Sequence, residues 1–263
     1  YKGNFDRALE IVKEADEIVE KKDSKEYAEI LTYQGSLNNY IGNYELSQKF
    51  HTQSYEMRKR LYSNQDHPNI ATSLNSLGSV WNYKQDFDKA LDFYNQSFEM
   101  RKRLYSNRDH PYIATSLNNL GLAWNNKKDF DKALDFYNQS FEMEERLYSN
   151  QDHPNIATSL NNLGLAWGKK DFDKALDFYN QSFEMKKRLY SNQDHPDIIL
   201  TMLNLTLHLC ESLSTRRKGV EILKHYKKIV TKEKDKQKIK DRLKKYDSII
   251  GRDKSKRKKD KTR

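Results

Sequence analysis

The chain has 263 residues, 36% hydrophobic and 33% charged, a balance that would suit a disordered polymer were its 17 Tyr, 11 Phe and 3 Trp not placed periodically. Its net charge of +10 is unevenly held: residues 1–213 carry 26 Lys/Arg against 31 Asp/Glu and residues 214–263 carry 22 against 7, so the overall charge does not describe the surface of the first part. One cysteine, Cys210, excludes an intrachain disulfide framework, and no run of about 18 apolar residues supports a membrane span.

Taken in chain order, Tyr1 to Ala8 read as the turn and second helix of a repeat whose first helix lies upstream, so the chain is expected to be part of a longer one. From there the sequence repeats itself. Asp-His-Pro tripeptides begin at Asp66, Asp109, Asp152 and Asp194, spaced 43, 43 and 42 residues apart. The missing residue lies in the turn that reads WNNKKDF from Trp124 and WGKKDF from Trp167.

Within the copy from Ile113 to Tyr148, Ala114, Leu117, Leu120, Gly121 and Trp124 mark one helical face, and Phe130, Ala133, Leu134, Tyr137, Phe141 and Leu147 mark a second. Helices are predicted over 5–20, 26–41, 44–61, 70–83, 87–105, 113–126, 130–148, 156–168, 172–190, 197–212 and 217–232. They make half a repeat, four full repeats and a divergent final pair. Neither helix of a pair can hide its apolar stripe alone, so neighbouring pairs must stack.

Gly35 with Ser47, Gly78 with Ala90 and Gly121 with Ala133 lie twelve apart and are expected where two backbones approach closely. Asp109, before His110 and Pro111, fits a helix start in which Asp caps the free amides. The four histidines of these tripeptides would stand roughly 10 Å apart by helix packing distances, too far to share one metal ion. Tyr105, Tyr148 and Tyr190, each closing a second helix, are expected to pack between repeats. Arg101-Lys102, Glu144-Glu145 and Lys186-Lys187 read as an outer face of alternating sign.

Beyond the regular copies, the run from Ile198 to Leu209 is apolar nearly all round and needs cover on every face. Ile239, Leu243, Tyr246 and Ile250 form the stripe of a candidate capping helix over 234–250. The expected domains are a repeat array over 1–213, a divergent last helix with a basic capping helix over 214–250, and a disordered basic tail over 251–263. The tail's KRKK run reads first as a solvated end with no specific role, and otherwise as a nuclear-import signal or a contact for nucleic acid or another acidic surface. Without these, the lone thiol and the lack of a leader sequence point to the cytoplasm.

LNNLGLAW from Leu117, followed by DFDKALDFYNQSFEM from Asp129, resembles the tetratricopeptide-repeat (TPR) family, and the extended loop ending in Asp-His-Pro is similar to its long-repeat subfamily found in kinesin light chains. Nothing matches that subfamily's heavy-chain-binding coiled coil. The resemblance implies an all-α fold, a TPR-type α-α superhelical solenoid with C-terminal capping helices. It also implies a concave groove lined by the first helix of each pair.

On that mapping the groove receives Thr72, Asn75, Ser79 and Asn82, then Thr115, Asn118, Leu122 and Asn125, then Thr158, Asn161 and Leu165. A column of asparagines offers donors and acceptors to the backbone of an extended peptide. The same asparagines could instead link neighbouring helices. Leu122 and Leu165 would supply apolar spots, and no Lys or Arg joins them to form a clamp for a terminal carboxylate. No catalytic signature is present, and no cofactor or metal is implied. The expected function is a non-catalytic scaffold that binds a protein or peptide, or else the docking arm of a larger, possibly enzymatic, protein.

Overall fold

The computed structural model describes residues 2–19, 22–190 and 195–211. Among the described residues there are ten α-helices and no strand: α1 (Lys2–Ile18), α2 (Lys25–Tyr40), α3 (Tyr44–Leu61), α4 (Pro68–Tyr83), α5 (Phe87–Leu104), α6 (Pro111–Asn126), α7 (Phe130–Leu147), α8 (Pro154–Trp167), α9 (Phe172–Leu189) and α10 (Pro196–Glu211). The chain divides into two compact units, Tyr1–Ser149 and Asn150–Arg263. The first holds α1 to α7, with α2/α3, α4/α5 and α6/α7 as consecutive helix pairs. The second holds the pair α8/α9 and then α10. The helix expected over 217–232, the capping helix over 234–250 and the tail over 251–263 lie outside the described residues.

Each pair closes on a glycine. A Cβ built on Gly78 would stand 2.6 Å from the ring of Tyr94, on Gly121 2.6 Å from Tyr137, and on Gly164 2.8 Å from Tyr179. These distances are far inside van der Waals contact, so the aromatic of the second helix occupies the space a side chain would need. The small residues twelve positions on, Ala90 and Ala133, are fully buried beside these contacts. In the first pair His51 takes the aromatic position against Gly35, and burial holds its imidazole down at about 4.

A second contact recurs in every pair. The hydroxyls of Ser54, Ser97 and Ser140 donate to the carbonyls of Ala28, Ala71 and Ala114 at 2.7, 2.7 and 2.8 Å, and Ser182 donates to that of Ala157 at 2.5 Å. All four serines are fully buried, so each hydroxyl is satisfied where water cannot reach.

The helix starts correct one expectation. The first helices begin two residues before the apolar periodicity does, at Pro68, Pro111 and Pro154, and the cap is the histidine rather than the aspartate. Nδ1 of His67, His110 and His153 accepts the N–H of Asn69, Tyr112 and Asn155 at 3.1, 3.2 and 3.1 Å. Tyr105, expected between repeats, stacks on His110, the cap of the next first helix, with ring centroids 3.5 Å apart, and Tyr62 stacks on His67 in the same way at 3.4 Å. Tyr190 does the same with His195 at 3.7 Å.

The aspartates are freed for another task. Asp66 and Asp109 each accept two bonds from Arg103 and Arg146, one repeat further along, at 2.5 and 3.0 Å and at 2.6 and 3.1 Å. These arginines hold both carboxyls below the usual range. In the second unit Asp152 is held by Arg188 in the same way. Aspartate does act as a cap at the other turn, where Asp86 and Asp129 accept the N–H of Lys89 and Lys132, both at 3.2 Å, to start α5 and α7.

The charges at the end of the second helices are also placed differently from the expected outer face. Arg58, Arg101, Glu144 and Lys186 share one register and are 5%, 4%, 2% and 5% exposed. Arg101 donates to the Tyr112 carbonyl and the Ser116 hydroxyl, both at 2.8 Å, which fastens the end of α5 to the first turns of α6. Arg58 reaches Ser73 in the same way at 2.8 Å, and Lys186 reaches Thr201 at 2.8 Å. Burial pulls Arg101 down to about 10 and Lys186 down to about 8. The outward charges are the neighbours Lys102 and Lys187, which pair with Glu99 and Glu184 on their own helices.

In the second unit α10 departs from the pattern as its sequence indicates. Thr206 stands where the first helices carry glycine, and residues 201–210 are all buried, Cys210 at 2% exposure. Ile198, Met202, Leu205 and Leu209 form one core with Ala175 and Tyr179 of α9. No helix of the described residues is long and apolar enough to cross a membrane.

Two outcomes test this packing. Gly121→Ala should destabilise the chain by about 1–3 kcal/mol, read as a lower thermal midpoint by circular dichroism, because the methyl group meets the fully buried Tyr137 ring. Tyr137→Leu in the same chain should remove most of that penalty. On the acid side the pH dependence is set by the buried His51 together with the histidine caps, since burial also holds His67, His110 and His153 below their usual 6.5. The fold therefore favours the neutral imidazole. Their contribution is complete above pH 6.5 and is lost as pH falls through the lowered values, because a protonated Nδ1 cannot accept the cap bond. The thermal midpoint should fall from about pH 6.5 downward, and His110→Asn, a cap that does not titrate, should shallow that fall.

Candidate functional site

In the first unit α4 and α6 lie side by side, joined through their amides. Asn119 Nδ2 donates to Asn75 Oδ1 at 2.7 Å, and seven residues further along each helix Asn126 Nδ2 donates to Asn82 Oδ1 at 3.0 Å. Helical rise puts the two pairs about 10.5 Å apart. Asn75, Asn119 and Asn126 are half-buried and Asn82 is 8% exposed.

The remaining residues singled out in this unit divide by what they touch. Thr72 and Thr115 are exposed, and their hydroxyls donate to the carbonyls of Pro68 and Pro111 at 3.0 and 2.9 Å. Ser79 hydrogen-bonds the phenol of Tyr94 beneath it. Asn118 turns inward, its Nδ2 donating to Ser140 at 2.7 Å and reaching the buried Glu144 carboxylate at 3.4 Å. Asn125 directs its Oδ1 into the protein, where no donor among the described residues meets it. Leu122 is half-buried and stands between the two amide pairs in sequence.

The second unit shows the same arrangement in smaller compass. Asn204 Nδ2 of α10 donates to Asn161 Oδ1 of α8 at 2.8 Å, and both residues are buried. Thr158 is exposed and bonds the Pro154 carbonyl at 2.9 Å. Leu165 packs against the core shared by α9 and α10, so part of its apolar surface is already covered.

Asn75, Asn82 and Asn161 thus have partners that the sequence reading did not place in the site: Asn119, Asn126 and Asn204. Asn119 and Asn126 stood in plain view beside Asn118 and Asn125. A helical wheel would have set them toward the preceding first helix, since they follow its contact row by one position.

The aromatic and charged groups at the turn edge are engaged with one another. Lys89 and Lys132 lie over the rings of Trp81 and Trp124 at 4.2 and 4.1 Å, with Lys84 and Lys127 on the same rings at 4.8 and 5.3 Å. Lys84 also pairs with Glu45, and Lys127 with Asp88. A separate cavity of about 320 Å³ opens between α2 and α3, with Leu31 and Met57 in its floor and the exposed Glu56 and Arg60 at its edge. It holds none of the residues singled out from the sequence. The histidines of the loops are each engaged as helix caps, and among the described residues no group of three or more His, Cys, Asp or Glu is placed to hold a metal ion.

Three overlapping matches to the tetratricopeptide repeat cover residues 26–103, 69–146 and 112–188. No curated protein sequence matches the chain. Among solved structures, BtubC (BKLC) from P. vanneervenii is similar with a TM-score of 0.66 at 19% identity, over 89% of this chain and 92% of that one. A putative kinesin light chain from Podospora anserina with nearly identical TPR-like repeats gives 0.60 at 14%, over 82% of this chain and all of that one. A Rap protein complexed with competence and sporulation factor gives 0.68 at 14% identity, over 95% and 71% of the two chains. At these identities the likeness is one of fold, while the repeat matches span most of the sequence. The chain belongs to the tetratricopeptide-repeat family.

Proposed function

We propose that this chain is a non-catalytic protein-interaction module whose first helices hold a short extended segment of another protein. In the first unit the contact residues are Thr72, Asn75, Ser79, Asn82, Thr115, Leu122 and Asn125, with Asn118 held inward behind them. In the second they are Thr158, Asn161 and Leu165. The observation that carries the reading is the pair of amide contacts between α4 and α6. Each pair uses one N–H and one oxygen lone pair on itself and leaves an NH2 and a C=O outside that bond, which is the complement of a peptide backbone. The Asn-to-Asn bonds therefore fix the geometry of the amides without exhausting them.

Two further points support it. Leu122 adds an apolar spot between the pairs. The Rap structure holds a factor on an architecture of this kind, so the fold is compatible with a ligand.

Random dodecapeptides displayed on phage and panned on the full chain should yield binders. Thr115→Asp combined with Leu122→Asp, at an exposed and a half-buried position, should weaken those binders about tenfold or more while leaving the helical circular dichroism unchanged. Equal affinity for the wild type and the double variant would contradict the proposal.

A further inference from the structure

Charge is segregated between the two helices of the pairs α4/α5, α6/α7 and α8/α9. α4 and α6, 16 residues each, contain no Asp, Glu, Lys or Arg, and neither does α8. Their partners α5 and α7 each hold seven charged residues in 18. Burial does not impose this difference. Thr72, Tyr112 and Thr115 are exposed, and Ser76, Ser79, Asn119 and Asn126 are half-buried, so several positions on α4 and α6 reach solvent and could carry a lysine or glutamate.

Nor is charge brought to this face from its surroundings. Arg101 and Glu144 are buried, and Lys84 and Lys127 are paired with Glu45 and Asp88 across the tryptophans. A solvent-exposed helical face ordinarily carries charge, whereas the centre of a protein interface is depleted in it.

We infer that the segment held on the α4/α6 face is uncharged where it touches the protein, and that the face rejects segments bearing Asp, Glu, Lys or Arg there. This rests on the peptide-binding reading above and adds the chemical class of the ligand. A charged side chain brought onto this face is stripped of water and finds no counter-charge, while an uncharged polar or apolar one incurs no such penalty.

The grip is on the ligand's backbone. Whichever way the amides are turned, the Asn75/Asn119 and Asn82/Asn126 pairs each have a side-chain N–H and a C=O that the bond between them does not use. Their separation of about 10.5 Å is spanned by three or four residues of extended chain. Leu122, between them, faces one apolar side chain of that stretch. Recognition of this kind tolerates many sequences and excludes by charge.

The probe is the set of dodecapeptides that bind the full chain and are lost on Thr115→Asp/Leu122→Asp. Asp, Glu, Lys and Arg should be depleted in them about threefold or more relative to the starting library. Their affinity should change less than about twofold between 0.05 and 0.5 M NaCl, because there is no exposed charge pair to screen. Placing Glu or Lys at a contact position should weaken binding about tenfold, and Thr115→Lys should recover part of the loss for the Glu peptide but not for the Lys peptide. Face-dependent binders rich in acidic or basic residues, weakening with salt, would overturn this inference and leave the peptide-binding reading standing. Binders indifferent to the face variants, or no binders at all, would overturn both.

Discussion

The contact between a first-helix glycine and the aromatic ring of the following helix sets the geometry of every regular pair. Gly78 meets Tyr94 and Gly121 meets Tyr137, sixteen residues on, while Gly164 meets Tyr179 after fifteen, because the intervening turn is one residue shorter. The chain has absorbed that deletion wholly within the turn. With a ring seated against a backbone that has no side chain, neither helix can rotate without opening a void or a clash. Which residues of the first helix face outward follows from this.

Pairs are then joined by polar contacts that are buried rather than exposed. The cation at the end of one second helix reaches the first turns of the next first helix, as Arg58 does with Ser73 and Arg101 with Ser116. Removing one partner would leave a charge or a hydroxyl stranded away from water, so these contacts specify how neighbours seat. The exposed Arg–Asp pairs of the loops, held in high dielectric, contribute less per contact. Since the second helices carry nearly all of the charge, the first helices are free to present amides, hydroxyls and a leucine.

Much of this was legible in the sequence, because the repeat compares itself with itself. The helix pairs, the shortened turn, the glycine positions and the departure at Thr206 follow from periodicity. The cap was misassigned because Asp and His both stand before Pro, and the residue that claims Asp66 is Arg103, 37 positions away in the next repeat. The buried register at Arg101, Glu144 and Lys186 was hidden for a related reason: each is followed by an outward charge of the same sign, and the pair reads as surface. The partners of Arg101 and Lys186 are serine and threonine hydroxyls and that of Glu144 is the Asn118 amide, none of which carries a charge signal. The asparagine column was visible, as was the alternative that it links neighbouring helices, but which residues pair was not, since that depends on how closely adjacent first helices approach.

The central claim is that packing leaves the uncharged faces of the first helices as the binding surface. Hydrogen–deuterium exchange on the full chain, with and without a saturating uncharged peptide that binds it, tests this most directly. Added protection in α4 and α6, with α5 and α7 unchanged, is the predicted result. Protection confined to the charged faces of α5 and α7, with α4 and α6 exchanging as before, would contradict the account.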